Sequence, residues 1–277
     1  MSFCKSSREE YSNIDEIAHP LIRSAFEELD INNFLVISSF GFASKGSGLG
    51  GSSSFLLALL KGLTLIKKKG QNNFELSNLA SSIDINILNK PIGKQDHFIA
   101  ASGNFSCFRF SNKNKTVEKL ELSNSKLKFL ETLSQKLYLV PSFISRSADK
   151  VLHKLKDSPT SNNELLEIRK IAEKFINLED ERDYVIEETF NNCLRDSWEI
   201  KKRMSGVITG RLNEQYIELK KLPLNWIRLL GAGSGGYFLI SPKIGNKEVE
   251  EELKRIGMRE FFKATVSESG LEIVHFS

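Results

Sequence analysis

Gly46-Ser-Gly-Leu-Gly-Gly-Ser-Ser-Ser-Phe-Leu-Leu-Ala-Leu-Leu, residues 46–60, places four glycines in six positions and follows them with three serines. An apolar run of strand length, Phe34 to Phe40, precedes this stretch. A helical stripe of Leu56, Leu59, Leu60, Leu63 and Ile66 follows it, so the glycines read as a strand–loop–helix connection. Such a loop lets backbone N–H groups point into a concavity, and the helix that follows adds its positive end. Ser52, Ser53 and Ser54 supply hydroxyls there for phosphate oxygens or a metal ion. A serine N-cap after a flexible turn accounts for one serine, not for three after four glycines. The stretch also satisfies G-x-G-x-x-G, but a dinucleotide fold wants an acidic residue about twenty positions on. This chain has Lys67-Lys-Lys-Gly-Gln-Asn-Asn in that region. The Walker pattern fails too, because Ser47 rather than Lys follows Gly46. Phosphate binding is the reading that remains.

Working outward, residues 14–30 carry Ile17, Leu21, Ile22, Ala25, Phe26 and Leu29 on one helical face. Gly70-Gln-Asn-Asn breaks the helix after the serines, and a further helix is predicted over 76–88, ending before Pro91. Residues 105–110 and 136–140 read as strands. The composition turns charged and helical near residue 150 and stays so to about 204. Beyond it, a helix near 210–220 precedes a strand at 226–230 and a second glycine loop, Gly231-Ala-Gly-Ser-Gly-Gly. A strand at 237–240, a helix at 247–256 and strands near 260–266 and 271–276 complete the chain. Helices interleaved with mostly antiparallel strands make an α+β protein, divided into 1–150 and 151–277.

The bulk properties narrow the chemistry. At 277 residues, 40% apolar and 27% charged, the chain has the make-up of a globular protein with two modest cores. A net charge of +4 suits an anionic substrate and is too dispersed for a nucleic-acid surface. The basic run Lys67-Lys-Lys reads as a solvated helix end, with cations at its negative pole. Three widely spaced cysteines, Cys4, Cys107 and Cys193, suggest neither a metal site nor a disulfide framework. With no signal peptide and no membrane-length apolar run, the expectation is a cytoplasmic protein without membrane or nucleic-acid partners.

Three segments together resemble the GHMP kinases. Residues 46–55 look like their phosphate loop. Pro91-Ile-Gly-Lys-Gln-Asp-His-Phe-Ile-Ala-Ala-Ser-Gly-Asn-Phe resembles the segment that holds their aspartate. Leu230-Gly-Ala-Gly-Ser-Gly-Gly-Tyr-Phe resembles their C-terminal glycine motif. The three occur in family order, and the resemblance runs from about residue 15 to the C-terminus. The wording of the middle motif, with Ile144-Ser-Arg-Ser-Ala and Trp198-Glu-Ile-Lys-Lys, is similar to the branch that phosphorylates heptose 7-phosphate.

The resemblance implies a two-domain architecture with a ferredoxin-like C-terminal domain, ATP and Mg2+ as cofactors, and a sugar phosphate as substrate. Lys45, Gly46, Ser47, Gly48, Leu49, Gly50, Gly51, Ser52 and Ser53 would surround the triphosphate. Ser52 and Asp84 match the family's metal-binding positions, Asp84 being one methylene shorter than the usual glutamate. Asp96 matches the aspartate that orients or deprotonates the attacking hydroxyl, with Lys94 beside it. Arg146 would clamp the sugar's phosphate, and Gly233, Ser234 and Gly235 would close over the substrate. Plainer readings stand beside these. Asp96 could cap a helix, Asp84 could be an exposed helix residue and Arg146 a surface ion-pair partner. His97, Trp198 and Trp226 read as structural. Two departures bear on activity: Gly51 stands where the family has its first loop serine, and Ser44-Lys45 replaces a proline-containing approach. Family members also carry strands before the point that matches residue 15. Their absence here would leave the strand at 34–40 as an exposed edge open to self-association. The alternative to an active kinase is then a nucleotide- or sugar-binding remnant of one.

Overall fold

In the computed structural model the described residues are 10–32, 35–41, 47–111, 116–144, 161–204, 207–208 and 210–274. The chain forms two compact units, one of residues 1–40 with 52–101, the other of 41–51 with 102–277. The division falls at 101/102, because the strand after residue 137 pairs with strands near the C-terminus. The composition change near 150 lies outside the described residues.

The first unit is helical among its described residues. The apolar face expected over 14–30 divides into a 3-10 turn, Ile14–Glu16, and α1, Pro20–Leu29. Pro20 starts α1 at the one place where its missing N–H is harmless. Asp30 ends it in a left-handed conformation, φ 51°, and Ile31 N–H returns to the Phe26 carbonyl. α2, Gly51–Ile66, buries Leu56, Leu57, Leu59, Leu60 and Leu63. α3, Asn73–Ser82, opens on a reciprocal capping box between Asn72 and Glu75. It runs on into one wide π-helical turn, Ile83–Ile87, closed by Leu88 N–H on the Ile83 carbonyl at 2.9 Å. α4 spans Gln95–Ser102.

The strand predicted at 34–40 does not form among its described residues. Residues 35–41 carry no regular structure, and Val36 and Phe40 are 98% and 90% exposed. A strand exists only through a ladder partner, and none pairs with these residues among those described.

The second unit contains a hairpin, β1 Cys107–Phe110 with β2 Val117–Leu120. α5, Asn124–Ser134, leads to β3, Tyr138–Pro141. α6, Ser161–Ile176, α7, Asp183–Arg203, and α8, Arg211–Leu219, come next. β4, Leu224–Leu229, β5, Tyr237–Pro242, α9, Asn246–Arg255, and β6, Phe262–Lys263, complete it. The sheet has the order β4-β5-β3-β6, every pair antiparallel. This is the β-α-β-β-α-β arrangement of a ferredoxin-like domain, as the resemblance implies. One sheet face buries Tyr138, Val140, Ile227, Leu229, Phe238 and Ile240 with Trp198, Tyr216 and Leu253. Two strands depart from the sequence reading: β6 has two residues, and residues 271–274 form none.

Candidate functional site

The first glycine loop is described from Ser47; Lys45 and Gly46 lie outside the described residues. Gly48 and Gly50 adopt φ of 77° and 71°, a conformation glycine enters without a Cβ penalty. Left-handed residues at alternate positions turn N–H groups towards one side of a loop, which makes an anion-binding concavity. Ser47 is buried, and its Oγ accepts the Leu49 N–H at 3.4 Å. α2 begins at Gly51, so Ser52 and Ser53 stand in its first turn, Ser52 exposed and Ser53 buried.

A cluster of ionisable groups lies inside the first unit, and it is built around Asp84. The wide turn after α3 carries Asp84 inward, where its side chain is 1% exposed. Lys90 Nζ donates to Oδ1 at 2.5 Å, and His97 Nε2 meets Oδ2 at 2.9 Å. Lys90 is tied twice, since its backbone N–H also donates to the Asp84 carbonyl. Burial acts to raise the carboxyl's pKa; the hydrogen bonds and charges of His97 and Lys90 outweigh it and hold the group below its usual value. An ionised Asp84 can only accept, so His97 carries its hydrogen on Nε2. His97 Nδ1 is buried and without a partner among the described residues. The reading of Asp84 as an exposed helix residue is corrected by this burial.

Asp96 and Lys94 stand beside this cluster. α4 is held from below: His97, Phe98 and Ala101 are buried, and Phe98 meets Phe74 edge-on at 5.1 Å. Ser77 Oγ reaches the His97 carbonyl, and Asn73 Nδ2 donates to the Ala101 carbonyl at 3.0 Å. Asp96 is exposed on the first turn of that anchored helix, one residue and about 100° round from His97. Lys94 is half-buried, and its carbonyl accepts the Phe98 N–H.

In the second unit, the glycine loop after β4 is engaged with its own unit. Ser234 N–H donates to the Val207 carbonyl at 2.7 Å, and Gly236 N–H to that of Ile144 at 3.1 Å. Gly233, φ 103°, and Gly235, φ 150°, are buried, and a Cβ on either would collide with those same backbones. The loop residues expected to touch substrate thus also hold the loop against two other segments. Arg146 lies outside the described residues, two positions beyond Ile144.

The sequence reading missed Arg228. On β4, Trp226 and Arg228 alternate with Ile227 and Leu229, which face the core. Arg228 lines a cavity of about 390 Å³ with Leu130, Leu133, Phe190, Leu194 and Leu239. Burial lowers its pKa, and no ion pair or hydrogen bond holds it among the described residues. A lone arginine inside Leu224-Asn-Trp-Ile-Arg-Leu-Leu was the available signal. Trp226 and Trp198 are packing residues, 3% and 1% exposed, and Trp226 Nε1 donates to Asn191 Oδ1 at 2.9 Å.

Among the described residues no group of three or more His, Cys, Asp or Glu could hold a metal. None of their helices is long and apolar enough to cross a membrane.

Residues 21–104 match the family model for the GHMP kinases N terminal domain. A D-glycero-alpha-D-manno-heptose 7-phosphate kinase of Campylobacter jejuni is 25% identical over 213 residues, 74% of this chain and 61% of that protein. The chain thus spans about three fifths of the curated relative it matches. A D-glycero-D-manno-heptose 1-phosphate kinase structure from Bacteroides thetaiotaomicron superposes with a TM-score of 0.60 at 19% identity, covering 91% of this chain and 73% of that one. The Methanococcus jannaschii mevalonate kinase does so with 0.61 at 16% identity, covering 90% and 76%. At such identities the structural likeness speaks for the fold.

Proposed function

We propose that this chain, which belongs to the GHMP kinase superfamily, transfers the γ-phosphoryl group of ATP to a hydroxyl of a sugar phosphate, a heptose 7-phosphate in the first instance. The observation that carries the reading is Asp96: an exposed carboxylate in the first turn of a helix anchored by the buried His97, Phe98 and Ala101. Phosphoryl transfer depends chiefly on positioning and on neutralising charge, and a rigidly presented carboxylate serves the first. Asp96 would take the proton of the sugar hydroxyl as its oxygen forms the new bond to Pγ. The bond from Pγ to the bridging oxygen breaks, and ADP leaves. The loop from Ser47 to Gly51 offers backbone N–H groups to the phosphates, and Ser52 offers an exposed hydroxyl at the start of α2. Magnesium bound to the triphosphate would supply charge neutralisation. Ser52 suits that role, whereas Asp84, enclosed by Lys90 and His97, does not.

The test is Asp96→Asn, assayed with Mg·ATP and heptose 7-phosphate. The amide keeps the shape and cannot accept the proton, so kcat should fall by roughly 10²–10⁴-fold while ATP affinity holds. A variant retaining more than about a third of the wild-type kcat would give Asp96 another role.

A further inference from the structure

The resemblance makes Asp84 a metal ligand, and the surroundings of its carboxylate do not fit one. Magnesium seeks oxygen ligands in a near-octahedral shell and keeps several of its waters. Asp84 offers 1% side-chain exposure, with a lysine ammonium on one oxygen and an imidazole N–H on the other. Nor does it belong to any group of three or more His, Cys, Asp or Glu that could hold a metal among the described residues. An aspartate where the family has glutamate draws the carboxylate back by one methylene, towards its own backbone, where Lys90 and His97 meet it.

What the two contacts accomplish is mechanical. Lys90 and His97 bracket the segment Pro91-Ile-Gly-Lys-Gln-Asp, which carries Lys94 and Asp96. One end is fixed by Lys90 Nζ and the Lys90 N–H on Asp84. The other is fixed by His97 Nε2, one residue from Asp96. A carboxylate that is 1% exposed between two such groups is worth more than a surface pair, because removing it leaves the buried His97 N–H without an acceptor and the half-buried Lys90 ammonium without its counter-charge. We propose that Asp84 is a positioning residue, a clasp that fixes the turn bearing Lys94 and Asp96, and that it does not ligate the metal. The inference rests on the reading of Asp96 as the group that meets the sugar hydroxyl.

The experiment compares wild type, Asp84→Asn and Lys90→Gln, with Mn2+ as a paramagnetic probe in the presence of ATP. Lys90→Gln opens the clasp from its more exposed side and leaves the carboxylate in place. Both variants should bind Mn2+ within about twofold of wild type, as a carboxylate outside the metal's ligand shell requires. In both, backbone amides of residues 85–97 should exchange at least about tenfold faster, because the local opening has lost its lock. Both should lose about tenfold or more in kcat with KM for ATP within about twofold, as misplacing a catalytic group does. A Mn2+ affinity that falls about tenfold in Asp84→Asn and holds in Lys90→Gln would make the carboxylate a ligand and overturn the proposal. Unchanged amide exchange in Lys90→Gln would overturn it as well, and that arm stands even if Asp84→Asn fails to fold. Failure of the Asp96 reading would show separately, as turnover surviving in Asp96→Asn, and would leave the metal and exchange arms decisive.

Discussion

Replacing Gly235 by alanine tests whether the second glycine loop is a structural joint as well as a binding loop. A Cβ at this residue would lie 2.4 Å from the Ile144 carbonyl oxygen and 3.2 Å from its carbon. Real Cβ atoms essentially never come within 3.0 Å, so one of the two backbones must move by more than half an ångström. The Ile144 carbonyl accepts the Gly236 N–H, and its displacement weakens that bond, worth about 1 kcal/mol. The φ of 150° adds a backbone strain of about 1–3 kcal/mol for a residue with a Cβ. The sum is about 2–4 kcal/mol, or a fall in Tm of roughly 5–15 °C for a unit of this size. Gly210 is the control for backbone strain without a collision: at φ 50° and ψ −131° a residue with a Cβ is disfavoured, and no atom lies within 4 Å of the Cβ position, so Gly210→Ala should lose only the strain, about 1–3 kcal/mol. Urea unfolding followed by tryptophan fluorescence measures both, because Trp198 and Trp226 are buried within residues 102–277. A Gly235→Ala protein no less stable than Gly210→Ala would refute the close approach to Ile144.

Three further outcomes are expected. Gly48→Val puts a branched side chain at a φ of 77° and over the path of the phosphates, so calorimetry should show ATP binding weakened by more than about tenfold; equal affinity would remove the loop from the nucleotide site. Arg228→Leu replaces a desolvated cation by an apolar side chain in an apolar cavity, and thermal unfolding should show a gain of about 1 kcal/mol or more; a loss would mean that the guanidinium has a partner in solution. The folded pKa of Asp84 lies below its ordinary 3.8, so its contribution is complete above that pH and drains away as pH falls through the folded value. The stability gap between wild type and Asp84→Asn, measured by denaturant titration, should therefore hold steady from pH 7 to about 5 and narrow below about 4; a gap that widens on acidification would contradict the ion pairing.

Helices and loops were legible in the sequence because their causes are local. Pro20 starts α1, Asn72 and Glu75 cap α3, and the glycines at 48 and 50 take left-handed φ values that suit them. The three glycine and aspartate motifs, read in order, also point to the superfamily and to the α+β fold. Strands were less legible, because a strand is completed by a partner elsewhere in the chain. The apolar run at 34–40 reads as a strand and forms none among its described residues, while β2, Val117-Glu-Lys-Leu, has a weak pattern and pairs with β1 along its length. Only the tertiary structure decided the standing of three side chains or backbones. Asp84 meets a lysine ammonium and an imidazole six and thirteen residues away, Arg228 lies among leucines from other elements, and Gly235 lies against a carbonyl of residue 144. Sequence supplies the chemistry of each group, but its charge state, access and freedom depend on what the fold brings within about 4 Å of it.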